Sequence, residues 1–127
     1  MPRRPSRMLR QARAKAEQHG VRLGLVQADA ARLPFISGSF DMVVARHVLW
    51  AFDDPDAVLG GWLRRLQPGG SLVLVEGRWS TGAGLSSSDC LAMVSRRRPD
   101  ATLIPLEDPD LWGAPVQDER YLVFSRG

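Results

Sequence analysis

The sequence predicts an α/β fold, a mostly parallel sheet closed by an antiparallel pair of strands, and three observations carry that expectation. Two runs, 40–45 and 71–76, are too continuously apolar for half-exposed strands and suit strands covered on both faces. Between them Asp54 can cap a helix with Pro55 at its first position, and QPGG at 67–70 ends it, which makes a strand, helix, strand crossover. Two further strand-like segments, 101–106 and 120–124, flank the turn-rich stretch EDPDLWGAPVQDE and can therefore pair antiparallel.

Taken in chain order, Met8, Leu9, Ala12 and Ala16 recur at helical spacing, and Gly20 is placed to end that helix in a left-handed conformation. Val21, Leu23 and Leu25 alternate before Val26 and Asp29, so a strand is expected over 21–28 with an acid at its carboxyl end. ARLPFISGS follows as a loop, and the strand at 40–45 stops at Arg46 and His47. Val58, Leu59, Trp62, Leu63 and Leu66 give the next helix one buried stripe, and the strand at 71–76 follows its QPGG turn. Ser86 and Asp89 form a capping box for a helix carrying Leu91 and Val94. Arg96, Arg97 and Arg98 suit that helix's negative carboxyl end, and Pro99 closes it.

Composition bounds the function. A chain of 127 residues, 44% hydrophobic and 24% charged, suggests one domain over 1–127. The apolar stretches fall far short of a bilayer span, and the basic start lacks the apolar core of a secretory signal, so a cytoplasmic protein is expected. The single cysteine, Cys90, excludes an internal disulfide and a cysteine cluster for zinc, and no metal site is expected. Sixteen of the seventeen cations are arginine, at a formal net charge of +3. Arg3, Arg4, Arg7, Arg10 and Arg13 could neutralise phosphates, but no stacking aromatic lies among them, which favours the solvated face of an amphipathic helix over a nucleic-acid site.

The succession ADAARLPF, GSFDMVV, a capped helix and LRRLQPGGSLVLVE resembles the second half of the class I S-adenosylmethionine-dependent methyltransferases of the ubiquinone-methylase-like group. The resemblance runs from about Met8 to Glu76 and extends in layout to the tail. It implies a Rossmann-like sheet with its ligand at the carboxyl ends of the strands, S-adenosyl-L-methionine as cofactor, and methyl transfer to a small-molecule acceptor. Asp29 matches the family acid that takes a hydrogen bond from the adenine amino group, with the Ala30 backbone against the ring. Arg46 stands where it could pair with the cofactor carboxylate, and His47 where it could accept a proton from substrate, which makes it the candidate catalytic residue. Trp50 and Phe52 are expected in the core, Asp41 is a structural signature, and QPGG is a turn and not a phosphate loop.

Family members begin with a strand ending in a G-x-G-x-G loop, then a helix and a strand ending in an acid for the ribose. This sequence has neither, and the position matching the ribose acid falls near Arg3. The family strand order is 3-2-1-4-5-7-6, so the sheet is expected to lack its first two strands, between 21–28 and 40–45. Either those flanking strands pair directly, or 1–35 is loosely held beside a stable 40–127. Two functions follow from this incomplete domain: methyl transfer, with the chain as given short of a full cofactor cradle, or a non-catalytic half-domain that joins another subunit through exposed sheet edges.

Overall fold

The structure, a computed structural model, describes residues 7–113 and 118–127; Arg3, Arg4 and residues 114–117 of the turn-rich stretch lie outside them. The chain divides into two compact units, Met1–Ala30 and Ala31–Gly127.

In the first unit α1 (Arg7–Gln18) forms as expected. Gly20, at φ 65°, ends it: the Gly20 amide donates to the Glu17 carbonyl at 3.1 Å and the Val21 amide to the Ala16 carbonyl at 2.9 Å. These two bonds are the Schellman pair that satisfies carbonyls left open at a helix end. Ala16 is buried and Leu9 and Ala12 are half-buried, but Met8 is 77% exposed and does not join the stripe expected of it. The strand expected over 21–28 is corrected outright: these residues join no ladder, and Val21, Leu23 and Val26 are each about half exposed. Alternation marks a segment able to pair, but pairing needs a neighbouring strand, and the first two strands of the implied order are not in this sequence.

The second unit holds β1 (Phe40–Arg46), a 3-10 turn (Leu49–Ala51), α2 (Pro55–Arg64), β2 (Leu66–Arg78), α3 (Ser87–Arg97), β3 (Thr102–Pro105), a short α4 (Pro109–Trp112) and β4 (Glu119–Ser125). The strands form one open sheet in the order β1-β2-β4-β3, the 4-5-7-6 part of the order the resemblance implies. β1 and β2 are parallel around the α2 crossover, while β4 runs antiparallel to both β2 and β3. The α/β class expected from sequence is the one observed. Its parallel part is confined to β1 and β2 because 21–28 joins no ladder.

Local chemistry explains the helix ends. The Asp54 carboxylate accepts the Ala57 amide at 3.1 Å, and the Ser86 hydroxyl accepts the Asp89 amide at 3.2 Å, so both predicted caps form. α4 was not expected; Asp108 caps it by accepting the Asp110 amide at 2.9 Å. Leu66, placed in the α2 stripe from its spacing, instead opens β2. QPGG sits inside β2 as an irregularity: Phe40 pairs Leu66 but Met42 already pairs Ser71. Gly69 takes φ 81°, and a Cβ on Gly70 would lie 3.1 Å from the Asp41 carbonyl oxygen, so backbone conformation and close approach select these glycines.

Alternation along the ladders puts Leu72, Leu74 and Glu76 of β2 on one face with Ser125, Val123 and Tyr121 of β4, and all six are buried. α2 and α3 contact these two strands and supply Leu59, Trp62, Cys90 and Val94, also buried. At about 1.5–3 kcal/mol per fully buried aliphatic side chain, this layer is what holds the unit together. The opposite face is open: Met42, Val44 and Ile104 are 51%, 62% and 47% exposed. β1 is also a sheet edge. Its His47 flank donates to the Val75 carbonyl at 2.9 Å, so by alternation the odd positions of β1 bond β2 and the amides of Met42, Val44 and Arg46 point outward.

Candidate functional site

Arg46 and His47 lie at the carboxyl end of β1, the end at which open parallel sheets hold ligands. His47 is the single non-glycine residue with positive φ among those described, at 53°. It turns the chain from β1 into the 3-10 turn, a conformation that persists only where neighbours hold it. Three bonds do so: the His47 amide to Val75, the Trp50 indole nitrogen to the His47 carbonyl at 3.2 Å, and the Leu49 amide to Glu76 Oε1 at 3.1 Å. Glu76 is fully buried. Burial pushes its carboxyl pKa up, against the pull of the Leu49 and Val48 amides.

The charged form of the His47 imidazole is disfavoured. Burial first, then the charges of Arg46 and Arg120, push its pKa below the ordinary histidine value. Its Nδ1 is buried and meets no hydrogen-bond partner among the described residues. A neutral imidazole with an unused nitrogen can accept a proton.

Beside it stands an aromatic and cationic cluster. The His47 and Trp79 rings are 4.9 Å apart. The Arg120 guanidinium lies 5.1 Å from the centre of the Trp79 ring and 4.2 Å from that of Trp112, and Arg46 lies 5.6 Å from Trp112. The Trp112 indole nitrogen is fixed on the Leu106 carbonyl at 2.7 Å. Ion pairs among the described residues join Arg96 and Arg97 to Asp56, and neither Arg46 nor Arg120 enters one.

Of the residues singled out in the sequence, Arg46 and His47 are therefore brought together, and Asp29 and Ala30 belong to the other unit. Asp29 is exposed and Ala30 half-buried, just after the unpaired 21–28 segment. Trp50, expected in the core, is 40% exposed, since its indole is drawn to the His47 carbonyl at the turn. Phe52 does turn inward, edge-on to Trp62 at 6.3 Å. Cys90 is buried, its thiol pushed up to about 11 by burial, and so inert as a nucleophile. No group of metal-ligating side chains occurs among the described residues, and no described helix is long and apolar enough to cross a membrane. Sequence reasoning missed Glu76, Trp79, Trp112 and Arg120. Glu76 had a signal, an acid at the carboxyl end of a buried strand; the other three are gathered only by the antiparallel return of β4.

Comparison with known proteins bears on this rim. The family described as methyltransferase domain matches residues 5–74. A demethylmenaquinone methyltransferase of Thermus thermophilus is 44% identical over 69 residues, covering 54% of this chain and 31% of its own length. The chain thus spans about a third of that curated relative. Among solved structures, the [4+2]-cyclase SpnF is similar at a TM-score of 0.70 and 18% identity, over 93% of this chain and 61% of its own. The 1,6-didemethyltoxoflavin-N1-methyltransferase of Burkholderia thailandensis, solved with 1,6-didemethyltoxoflavin and S-adenosylhomocysteine, is similar at a TM-score of 0.64 and 13% identity, over 91% and 56%. At such identities the structures establish a shared fold.

Proposed function

The chain belongs to the methyltransferase domain family, and from that membership we propose that it serves S-adenosyl-L-methionine-dependent methyl transfer to a small-molecule acceptor. The observation that carries this is the placement of His47, turned out of the carboxyl end of β1 beside Arg46 with a buried nitrogen that meets no partner among the described residues.

The cofactor supplies an activated methyl group on a sulfonium, so the protein's share is binding and positioning. The residues present fit part of that group. The Asp29 carboxylate suits an amino donor such as that of adenine, with the Ala30 backbone beside it. The exposed Arg46 guanidinium enters no ion pair among the described residues and suits a carboxylate. His47 can take a proton from an acceptor hydroxyl, amine or acidic carbon. Nothing in this sequence supplies the G-x-G-x-G backbone or the ribose acid.

Titration calorimetry of S-adenosylmethionine and S-adenosylhomocysteine, with Asp29→Ala as control, tests the proposal. Micromolar binding, about −8 kcal/mol, that Asp29→Ala abolishes supports it. A folded chain that binds neither ligand refutes it for these 127 residues.

A second function, a half-domain that joins another subunit, is favoured by the open edge of β1 and the exposure of Met42 and Val44. Sedimentation showing a monomer at high concentration would remove the homo-oligomeric form of it.

A further inference from the structure

Deepening the methyl-transfer proposal, on which it rests for the claim that this rim receives the acceptor, we infer that Trp79, Trp112 and Arg120, with Arg46 at their margin, bind a flat aromatic anion. Arg120 and Arg46 project from the same sheet face: Arg46 pairs Val75, and Arg120 pairs Gly77 two positions further along β2. They stand at the carboxyl ends of the parallel strands, on the side that α2 and α3 leave open.

Among the described residues neither arginine of this pair enters an ion pair. Three acids near them in chain or ladder are turned to other donors: Glu119 accepts the Ser87 amide at 2.8 Å, Asp118 the Ser80 amide at 2.8 Å, and Glu76, on the covered face, the Leu49 amide at 3.1 Å. The buried Nε of Arg120 likewise finds no acceptor among the described residues. Cation–π contacts with two indoles orient a guanidinium without neutralising it. Both arginines act on His47, so their positive potential converges on the group placed to take a proton.

The chemistry of the walls then narrows the ligand. Indole faces favour a planar π system, and an oriented guanidinium fork favours a carboxylate or phenolate oxygen over a neutral one. Because Trp79, Trp112 and Arg120 are ordered against one another beforehand, little side-chain freedom remains to be lost on binding. An aliphatic carboxylate, such as the amino-acid end of the cofactor, would meet the charge but leave both indoles unused.

The test measures quenching of tryptophan fluorescence in the intact chain by 1-naphthoate, by its neutral counterpart 1-naphthalenemethanol, and by L-methionine. Naphthoate is expected to bind at least about tenfold more tightly than either, the size of one charge-assisted hydrogen bond. Arg120→Gln should remove most of that preference, and the exposed Arg46→Gln, at the margin where the cofactor carboxylate is proposed to sit, should leave most of it. Equal binding of the alcohol would reduce the cluster to an apolar surface, and equal binding of methionine would assign it to the cofactor's tail; either overturns the inference. A preference unchanged in Arg120→Gln overturns it too, and the comparison of probes on the wild-type chain requires no variant to fold. Calorimetry of S-adenosylmethionine on the same samples separates the two claims: naphthoate binding without cofactor binding would leave an anion site and remove methyl transfer.

Discussion

Glu76 ties the buried sheet to the turn that carries His47, and removing its carboxylate should loosen both. The side chain is fully buried, and its Oε1 accepts the Leu49 amide at 3.1 Å. Glu76→Ala strands that donor; at about 1–3 kcal/mol for a buried amide left unpaired, the expected loss is about 1–3 kcal/mol. At about 4 °C per kcal/mol, between the values for smaller and larger domains, the midpoint falls by at least about 4 °C. Glu76→Gln keeps an acceptor oxygen and should lose about 1 kcal/mol, the difference between a charged and a neutral hydrogen bond. The two variants also separate by pH. A carboxyl whose folded pKa is raised binds its proton more tightly in the folded state, so wild-type stability falls as pH rises from the ordinary glutamate range through the folded value. Glu76→Gln should flatten that slope. Urea denaturation at several pH values reads both effects. An Ala variant within about 0.5 kcal/mol of wild type, or a Gln variant that keeps the wild-type slope, would refute the strap.

Three further outcomes are expected. The His47 imidazole should titrate below an ordinary histidine by nuclear magnetic resonance, with its stability contribution present above the unfolded pKa and lost as pH falls through the folded one. Arg120→Gln should move that midpoint upward, and an unmoved midpoint would exclude Arg120 as a cause. Gly84 takes φ 103°, and a Cβ there would run into the Gly77 carbonyl and within 3.1 Å of the Arg78 Cα. Gly84→Ala should therefore cost more than Gly82→Ala, which sits at φ 89° in open space and pays only the backbone strain of about 1–2 kcal/mol; equal urea midpoints would count against the clash. Hydrogen exchange should find amides 21–28 poorly protected beside those of β2 and β4, since no ladder holds them. Uniformly strong protection of 21–28 would contradict the unpaired segment.

What was legible in the sequence is what is local. The caps at Asp54 and Ser86, the glycine end of α1 and the strands at β1 and β2 each depend on a few neighbouring residues and appear where their patterns stand, but the burial on both faces expected of β1 does not, since none of its residues is buried. Leu66 and the 21–28 segment were misplaced because helical spacing and alternation do not report whether a stripe continues or a partner exists. In the candidate site, Arg46 and His47 could be found from the end of one strand. Trp79, Trp112 and Arg120 could not, because they meet across the β2–β4 ladder and α4. Asp29 and Ala30 were found through resemblance alone, and calorimetry is the measurement that assigns them.

The two flanks of β1 have different chemical owners. Amides at 43 and 45 face β2, whereas those at 42, 44 and 46 face away from it and join no ladder among the described residues. A single N-methyl group can thus tell maintenance from recruitment: at Val44 it would leave the protomer's own ladder whole and spoil the edge for any incoming strand, and at Val43 it would do the reverse damage first. Here it makes the backbone itself, with every side chain untouched, the instrument for asking what this half-sheet is for.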